Sequence, residues 1–508
     1  MKSTNLQYKR WPLMRVSQLA GLFLLVSACL TLEGAEPTLA DAVEKQDKVT
    51  VRKLLAGQVD VNAAQADGMT ALHWAVYLDD LETVQSLVRS GARVTSENRY
   101  GVTPLSLACS NGTAKIVELL LENGAKPNAT LRGGETILMT AARTGRVGPV
   151  RLLLAKGAEV NAKEKDDQTA LMWAAAEGHL EVVDALLEAG AEFQAPLESG
   201  YTPLMFAVRE GHAAVVKRLL KAGIDVNSVM EPEKSSSKSV VKGTSPLILA
   251  IENGHFELAV ELLVAGADPN DHRSNFTPLQ TLSWVRKPAI GDDASGEPSP
   301  IGSGNLTSLQ LVQTLVKHGA EVNFRKKNNN GRRGKFGRKG TTAFLCAAGT
   351  GDVALMRLLL QLGADANISN DRNWTPLMMA AGIGTGSSGD SGGTEEECLA
   401  AVKLLVELGA DVNAVDRNGE TAMHGAAYKT MPSVVNYLDK HGADIKIWSK
   451  KTKNGRTPLW IAQGYRGGGN FKPSLETVNA IKKVMLARGV TPPPPPKQVL
   501  EKGYRPPN

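Results

Sequence analysis

Apolar residues in this chain recur in pairs of short stretches with helical spacing, separated by polar residues and glycine. Lys115-Ile-Val-Glu-Leu-Leu-Leu and Glu181-Val-Val-Asp-Ala-Leu-Leu exemplify the second stretch of a pair. Their apolar positions fall on one face of a helix, so each helix is predicted to bury one side only. A first stretch precedes each of them, as in Thr103-Pro-Leu-Ser-Leu-Ala. The pattern therefore predicts a succession of helix pairs.

The helix pairs repeat with a fixed period. Thr70, Thr103, Thr136, Thr169 and Thr202 each open a first stretch, and they stand 33 residues apart. Such a period is typical of a stacked repeat protein, because one unit cannot bury its apolar face without neighbours. Later units open, with less regular spacing, at Ser245, Thr277, Thr342, Thr375, Thr421 and Thr457, and a more degenerate first unit opens near Thr38.

Three positions of the repeat carry residues suited to helix ends. Thr103 and Thr202 stand where a hydroxyl can cap the first helix by accepting from a free backbone N–H. Pro104 follows at the first helical position, where its missing N–H costs nothing. Gly124 and Gly157 follow the second helix, where a left-handed residue is needed. An extended segment, called the finger below, then leads to the next unit.

The phrases Thr70-Ala-Leu-His-Trp-Ala, Thr103-Pro-Leu-Ser-Leu-Ala and Thr202-Pro-Leu-Met-Phe-Ala resemble the Thr-Pro-Leu-His-x-Ala signature of the ankyrin-repeat family. The resemblance covers roughly residues 38–489. It implies an all-α solenoid of about twelve helix-turn-helix units with finger loops. It also implies a monomeric scaffold that binds an unidentified protein through its concave first-helix face and its finger tips.

The resemblance places partner contacts two residues after the signature alanine. These positions hold Tyr77, Ser110, Arg143, Ala176, Arg209, Glu252, Trp284 and Tyr428. Tyr and Arg are common anchors of protein interfaces, so Tyr77, Arg143, Arg209 and Tyr428 are the first candidates. A long insertion after Trp284 is expected to cover that part of the concave face.

The organisation predicted along the chain has three parts. Residues 1–35 are a signal peptide, 36–490 the solenoid and 491–508 a proline-rich tail. Insertions interrupt the repeat near 229–243, 287–305, 325–340 and 383–397. Insertions in solenoids lie in loops on one side, which is often a binding side, although loops also tolerate extra length at little cost.

The leader predicts export from a bacterial cytoplasm. Basic residues precede an apolar run from Leu19 to Ala28, which is too short to span a membrane as a helix. The run ends in Val26-Ser-Ala-Cys29, which resembles a lipoprotein box in which Cys29 is acylated and tethers the protein to a membrane. Ordinary cleavage nearby, for example after Ala35, is the alternative. The expected location is the periplasm or an outer-membrane anchor, otherwise the medium.

Charge narrows the choice of partner. The net charge is +6, but residues 1–28 carry four basic residues and no acid, which leaves 54 basic against 52 acidic side chains. This balance does not predict a specific nucleic-acid partner. Four residues before the signature threonine, however, a basic column recurs, at Arg99, Arg132, Lys165, Arg273, Arg338, Arg417 and Lys453. Stacking would align the column, which is expected to face an acidic partner or an anionic envelope surface.

The finger insertion 325–339 is strongly basic. Its cations are Arg325, Lys326, Lys327, Arg332, Arg333, Lys335, Arg338 and Lys339, and no acid lies among them. The segment could hold polyanions or lipid head groups, or it could be a solvated loop. An anion-binding or envelope-structural role through this basic loop is therefore the alternative to protein binding.

Catalytic and metal-binding motifs are not found in the sequence. Cys109, Cys346 and Cys398 lie in different repeats and are predicted to be buried thiols, unable to pair with one another. His73, His179, His212, His255 and His424 recur at repeat positions and are predicted to be structural. No HExxH, CxxC, Walker loop or GxSxG occurs. The sequence predicts a protein that is not an enzyme and uses no metal or cofactor.

Overall fold

The computed structural model describes residues 37–111, 113–233, 241–288, 299–330, 334–385, 392–465 and 473–494. The leader with Cys29, the basic residues Arg332 and Arg333 and most of the proline-rich tail lie outside these ranges. Where the structure describes the chain, it is all-α, and about half of the chain is helical. None of the described helices has the length and apolar character needed to cross a bilayer.

The described helices form twelve pairs, as the repeat predicts. The first helices of the pairs are α1 (Leu39–Glu44), α3 (Ala71–Tyr77), α5 (Pro104–Asn111), α7 (Ile137–Thr144), α9 (Ala170–Glu177), α11 (Pro203–Glu210), α13 (Pro246–Glu252), α15 (Pro278–Arg286), α17 (Ala343–Thr350), α19 (Pro376–Ala380), α21 (Ala422–Tyr428) and α24 (Pro458–Ala462). The second helices are α2 (Lys48–Ala56), α4 (Leu81–Arg89), α6 (Ala114–Glu122), α8 (Val147–Ala155), α10 (Leu180–Glu188), α12 (Ala213–Lys221), α14 (Phe256–Val264), α16 (Ser308–Lys317), α18 (Val353–Gln361), α20 (Glu395–Glu407), α22 (Pro432–Lys440) and α25 (Leu475–Ala487). One further short helix, α23 (Ile445–Trp448), lies in a finger.

The predicted caps form at both ends of the helix pairs. The Thr136 hydroxyl accepts from the Met139 N–H at 3.2 Å, and Thr103, a residue before the proline that opens α5, accepts from Ser106 N–H at 3.1 Å. Gly157 has φ of 84° after α8, which is the left-handed region that glycine enters without strain. In these repeats, the residues that cap the helices stand where the sequence pattern places them.

In seven of the described fingers, an asparagine ties the finger to the next repeat. The Asn161 side-chain amide donates to Gly190 O at 3.2 Å, and its carbonyl oxygen accepts from Glu192 N–H at 2.8 Å. The same pair of bonds is made by Asn62, Asn128, Asn227, Asn270, Asn323 and Asn413. One side chain thus satisfies a donor and an acceptor of its neighbour, which fixes the stacking of adjacent units.

Packing divides the chain into two compact units. Among the described residues, the first comprises those up to Phe206 together with 232–233, and the second comprises Ala207–Glu231 together with those from Val241 onward. In each, the core is a row of buried leucine, valine and alanine side chains between successive helices, such as Leu138, Ala141 and Leu153 in the first unit. The apolar core is therefore shared between neighbouring repeats and has no single centre.

The second unit contains most of the long connections between helices. Residues 287–307 separate α15 from α16, and residues 381–394 separate α19 from α20, where the sequence predicts insertions. The connection between α24 and α25, residues 463–474, is also long. The sequence analysis missed this last one, because no later signature threonine follows it to reveal the extra length.

Candidate protein-binding surface

Backbone hydrogen bonds between successive fingers align the basic column within each unit. In the first unit, Arg99 N–H donates to Asp67 O at 2.9 Å and Lys165 N–H donates to Gly133 O at 3.4 Å. In the second unit, Arg417 N–H donates to Arg372 O at 3.1 Å and Lys453 N–H to Asn418 O at 2.8 Å. The finger tips therefore follow one another in register, as the sequence analysis assumed for the column.

The first-unit part of the column is open to solvent. Arg99, Arg132 and Lys165 are all exposed. The Arg99 guanidinium donates to the Ala66 carbonyl, and in the described part of the chain none of the three forms an ion pair within 4 Å. Three cations without a carboxylate partner on one edge favour an anionic partner.

Tyr77 is the most exposed of the four predicted anchors. It ends α3, its residue surface is 48% exposed, and its ring meets the edge of Trp74 at 5.8 Å between ring centroids. Trp74 is itself held by a hydrogen bond from its Nε1 to Gln65 Oε1 at 2.6 Å. Tyr77 is thus an exposed aromatic side chain on a rigid support, the kind of group that anchors protein interfaces.

Arg143 and Arg209 are half-buried and occupied by contacts inside their own units. Arg143 pairs with Glu135 at 3.4 Å, and its guanidinium carbon lies 5.8 Å from the centre of the Trp173 ring. Arg209 Nε donates to Glu210 Oε1 at 2.8 Å. The carbonyl oxygens of both arginines also accept from histidines of the next repeat, His179 for Arg143 and His255 for Arg209. Arg143 remains part of the first-unit surface with Tyr77.

Tyr428 departs from the expectation of an exposed anchor. Only 3% of its surface is exposed, and its hydroxyl donates to Glu420 Oε1 at 2.6 Å. Burial, reinforced by the Glu420 carboxylate, raises the pKa of Tyr428 to about 12. Its phenol is part of the packing of its repeat, and the position is not counted in the candidate surface.

The basic finger packs against Trp284, at the repeat position that the sequence analysis assigned to the concave face. Phe336, in the 3₁₀ turn Gly334–Gly337, stacks on Trp284 with ring centroids 6.4 Å apart, and Phe276 meets Trp284 edge-on at 4.8 Å. Trp284 is 7% exposed. The finger insertion thus contributes to the cover over Trp284. Residues 289–298 of the insertion after Trp284, which the sequence analysis expected to cover this part of the face, lie outside the described residues.

The described cations of the basic loop are largely held by the protein itself. Lys326 is 2% exposed and lies over the Phe276 ring at 4.8 Å, and burial lowers its pKa to about 8. Its Nζ donates to Asn328 Oδ1 at 2.8 Å. Arg325 donates to Ser369 O, Lys339 lies 3.9 Å from Asp371, and Arg338 packs on Trp374. Lys327 is exposed beside Phe324, and the side chain of Lys335 lies outside the described residues.

The buried histidines serve the fold. His73 Nδ1 accepts from Thr70 N–H at 3.2 Å, and its Nε2 bonds Val102 O of the next finger at 3.0 Å. Gln280 makes the same two contacts in its own repeat, with Thr277 N–H and Thr341 O. An amide thus substitutes for an imidazole at this position, which marks the role as hydrogen bonding. Within the described residues, no three side chains among His, Cys, Asp and Glu cluster as a metal site would require.

The repeated helix pairs and the backbone hydrogen bonds between successive fingers together define a repeat protein. A family model described as three copies of the ankyrin repeat matches residues 39–131, 138–230, 303–385 and 394–472, and a single-repeat model matches 242–274. The chain belongs to the ankyrin-repeat family. Ankyrin repeats generally mediate protein–protein interaction, and ankyrin-repeat proteins are generally scaffolds without catalytic activity.

Curated relatives are similar over part of the chain. The E3 ubiquitin-protein ligase KEG of Arabidopsis thaliana is 31% identical over 144 residues, which is 28% of this chain and 8% of the ligase. Neurogenic locus notch homolog protein 1 of Homo sapiens is 32% identical over 129 residues, 25% of this chain and 5% of that protein. Ankyrin repeat and SOCS box protein 6 of Homo sapiens is 29% identical over 197 residues, 37% of this chain and 42% of that protein. The chain spans less than half the length of each of these relatives.

Proposed function

We propose that this protein is an exported scaffold that binds an acidic protein partner through its first unit. The contact surface is Tyr77 and Arg143 on the first-helix face, together with the finger-tip cations Arg99, Arg132 and Lys165. The observation that carries the proposal is the exposure of Tyr77 on its Trp74 support, on the same unit as three exposed cations that have no ion-pair partner among the described residues.

The charge of the surface determines how binding should respond to salt. Cations at the rim of an interface mainly accelerate association with an acidic partner, and salt screens that attraction. Tyr77, by contrast, contributes buried area at the centre of the contact and should act mainly on dissociation. The two parts of the surface are therefore separable by kinetics.

The test starts with capture of partners from an envelope extract on the full-length protein, followed by kinetics with each captured protein. Reversal to glutamate at Arg99, Arg132 and Lys165 together should slow association at low salt and flatten its salt dependence. Tyr77→Ala should accelerate dissociation by about tenfold or more, as expected for an interface anchor. The matched control reverses Lys53, Lys115 and Lys156, which are exposed on second helices or at their ends in the same unit.

The control carries the same change in net charge as the finger-tip variant. If both triple variants slow association equally, the effect comes from net charge alone and not from the finger-tip position of the cations. Binding that ignores the finger-tip variant and Tyr77→Ala would refute the proposed surface.

The proposed location rests on the leader. The basic residues, the apolar run from Leu19 to Ala28 and Cys29 after Ser27-Ala28 favour export with a lipid on Cys29. A mature N-terminus at acylated Cys29, lost together with membrane fractionation in Cys29→Ala, is the expected result. An unlipidated mature N-terminus at Glu36 would be consistent with export but would refute the lipid tether. An uncleaved protein that keeps Met1 and stays in the cytoplasm would refute both export and the tether.

A further inference from the structure

A buried lysine and a buried cysteine from adjacent repeats meet in the second unit. Cys398 lies in the first turn of α20, directly after the glycine-rich insertion, and its side chain is 0% exposed. Lys429 follows α21 in the next repeat and is 6% exposed. The Lys429 Nζ donates to Cys398 Sγ at 3.1 Å and to Gly392 O at 2.8 Å. A nucleophilic sulfur and an amine are thus in direct contact across a repeat boundary.

The site is built closely around the pair. A Cβ added at Gly382 would lie 2.6 Å from the Lys429 Cβ, and one added at Gly393 would lie 3.2 Å from the Cys398 sulfur. Glycine at these two positions therefore leaves the space that the lysine and the sulfur occupy. The lysine side chain enters this space with its amine directed at the sulfur.

The environment gives the amine no carboxylate partner among the described residues within 4 Å. Burial of a charged amine away from water is unfavourable unless a nearby group compensates for the lost hydration. The atoms placed to do so are the Gly392 carbonyl oxygen and the sulfur. The close sulfur contact has no counterpart at Cys109, which is also fully buried and for which the structure gives no amine contact.

We infer that Cys398 and Lys429 form a covalent cross-link when the protein meets a small peroxide. The Cys398 sulfur attacks one oxygen of hydrogen peroxide, the O–O bond breaks, and the sulfur becomes a sulfenic acid. The hydroxide that leaves takes one proton from the cysteine–lysine pair and departs as water. Sulfenic acids condense with nearby nitrogen to give a sulfenamide.

The second step uses the lysine already in place. The neutral amine of Lys429 attacks the Cys398 sulfur, an S–N bond forms, and the S–OH bond breaks. The leaving hydroxide takes a proton from the nitrogen and departs as a second water. In sum, a thiol, an amine and one peroxide give Cys398 Sγ–Nζ Lys429 and two waters, so the protein loses two hydrogen atoms. The sulfur is oxidised and the peroxide is reduced.

The cross-link would join two repeats that otherwise touch only by packing and hydrogen bonds. It closes the chain from Cys398 to Lys429, which includes α20 from Cys398 onward, the following finger and all of α21. A bond of this kind constrains the unfolded chain and so stabilises the folded one. A thiol reductant would reverse it by attacking the oxidised sulfur. The pair would thus form a redox-controlled cross-link between two repeats of the second unit.

The experiment treats the full-length protein with hydrogen peroxide and analyses its peptides by mass spectrometry. The expected product is a linked pair of peptides containing Cys398 and Lys429, lighter by two hydrogen atoms than their sum and separated again by dithiothreitol. The oxidised protein should also unfold at a higher temperature than the reduced protein. Lys429→Met, an apolar side chain of similar length, should abolish the linked peptide.

Cys109→Ala is the matched control, because it removes a buried thiol whose pKa burial raises and should leave the linkage unchanged. Linkage retained in Lys429→Met would overturn the assignment. Sulfinic or sulfonic acid at Cys398 without any linked peptide would overturn the proposal. A linked peptide that keeps one extra oxygen would overturn the condensation step, because that step releases the oxygen as water. The wild-type peptide map decides the question even if a variant fails to fold.

Discussion

A buried ion pair between repeats of the second unit yields a quantitative prediction. Arg286, the last residue of α15, contacts Asp352 through two hydrogen bonds, Nε to Oδ2 at 2.7 Å and Nη2 to Oδ1 at 3.1 Å. Their side chains are 15% and 2% exposed. Asp352 also caps α18 by accepting from Leu355 N–H at 3.0 Å. The Asp352 carboxylate thus caps the N-terminus of α18 and also binds the preceding repeat.

Arg286→Leu should remove the guanidinium and leave the Asp352 carboxylate buried without its counter-charge. Losing one partner of a buried pair costs about 3–5 kcal/mol. Because repeat stability is a sum of local and neighbour terms, the loss should concentrate in α15, α16, α17 and α18. Amide hydrogen exchange in these helices should accelerate by about a hundredfold or more, since each 1.4 kcal/mol is tenfold.

The exposed pair Arg151–Glu188 supplies the matched control. Its Nη1–Oε2 distance is 3.4 Å, and the two side chains are 59% and 61% exposed. Exposed ion pairs contribute about 0–1 kcal/mol to stability, so Arg151→Leu should change amide hydrogen-exchange rates by less than about fivefold. The double variant Arg286→Leu/Asp352→Asn should recover part of the loss, because no unpaired charge remains. An Arg286→Leu effect no larger than the Arg151→Leu effect would refute the reasoning.

Three further predictions test the repeat itself. Gly157→Val should lower the free energy of unfolding by about 1–2 kcal/mol, because φ is 84° there, although the space around the new side chain is open. Gly57→Val, at φ of −88°, should lower it less. Equal midpoints of urea denaturation for the two variants would contradict this prediction. His424→Gln should flatten the acid side of the stability profile. Burial lowers the pKa of His424 to about 3, so the unfolded state binds the proton first, and stability falls by up to about 1.4 kcal/mol per unit as pH drops from about 6.5 toward 3. An unchanged slope between wild type and variant would count against it. Asn161→Ala should lower the free energy of unfolding by about 1–3 kcal/mol, because it removes both bonds to the next repeat. Thr95→Ala, at the same repeat position and without such bonds in the described structure, should lower it little. Equal losses of protection from amide hydrogen exchange in the two variants would argue against the asparagine bridge.

The fold could be predicted from the sequence because the information is local and repeated. A threonine caps a helix through a bond to a residue three positions on, and a glycine ends one through its own φ. Both act within a single repeat, so twelve imperfect copies reinforce one another. The asparagine bridge was visible only as a recurring Val-Asn, since its two partners lie in the following unit. The long connection between α24 and α25 left no trace in the period, because no later signature threonine follows it.

The candidate surface was less predictable, because exposure depends on what the neighbouring segments carry. Tyr77 and Tyr428 hold the same position of the repeat, and the sequence alone ranks them equally. Glu420 accepts the Tyr428 hydroxyl, and the residue is buried, while Tyr77 rests on Trp74 with half of its surface free. A polar acceptor eight residues before the tyrosine was therefore the available signal. Position in the repeat predicts where a side chain lies, and its partners decide whether another protein can reach it.

Lys326 shows the same limit for charge. Counting cations makes the finger insertion the most basic segment of the chain, yet this lysine lies over Phe276 and behind Asn328, removed from solvent. An insertion in a repeat protein must cover its own backbone polar groups and any apolar surface that it meets, and Phe336 brings this one down onto Trp284. Arg99, Arg132 and Lys165 lie on regular fingers held in register by the backbone and so stay exposed. Regular repeats thus present their charges predictably, whereas an insertion must first use its charges and rings to fold against the repeat that carries it.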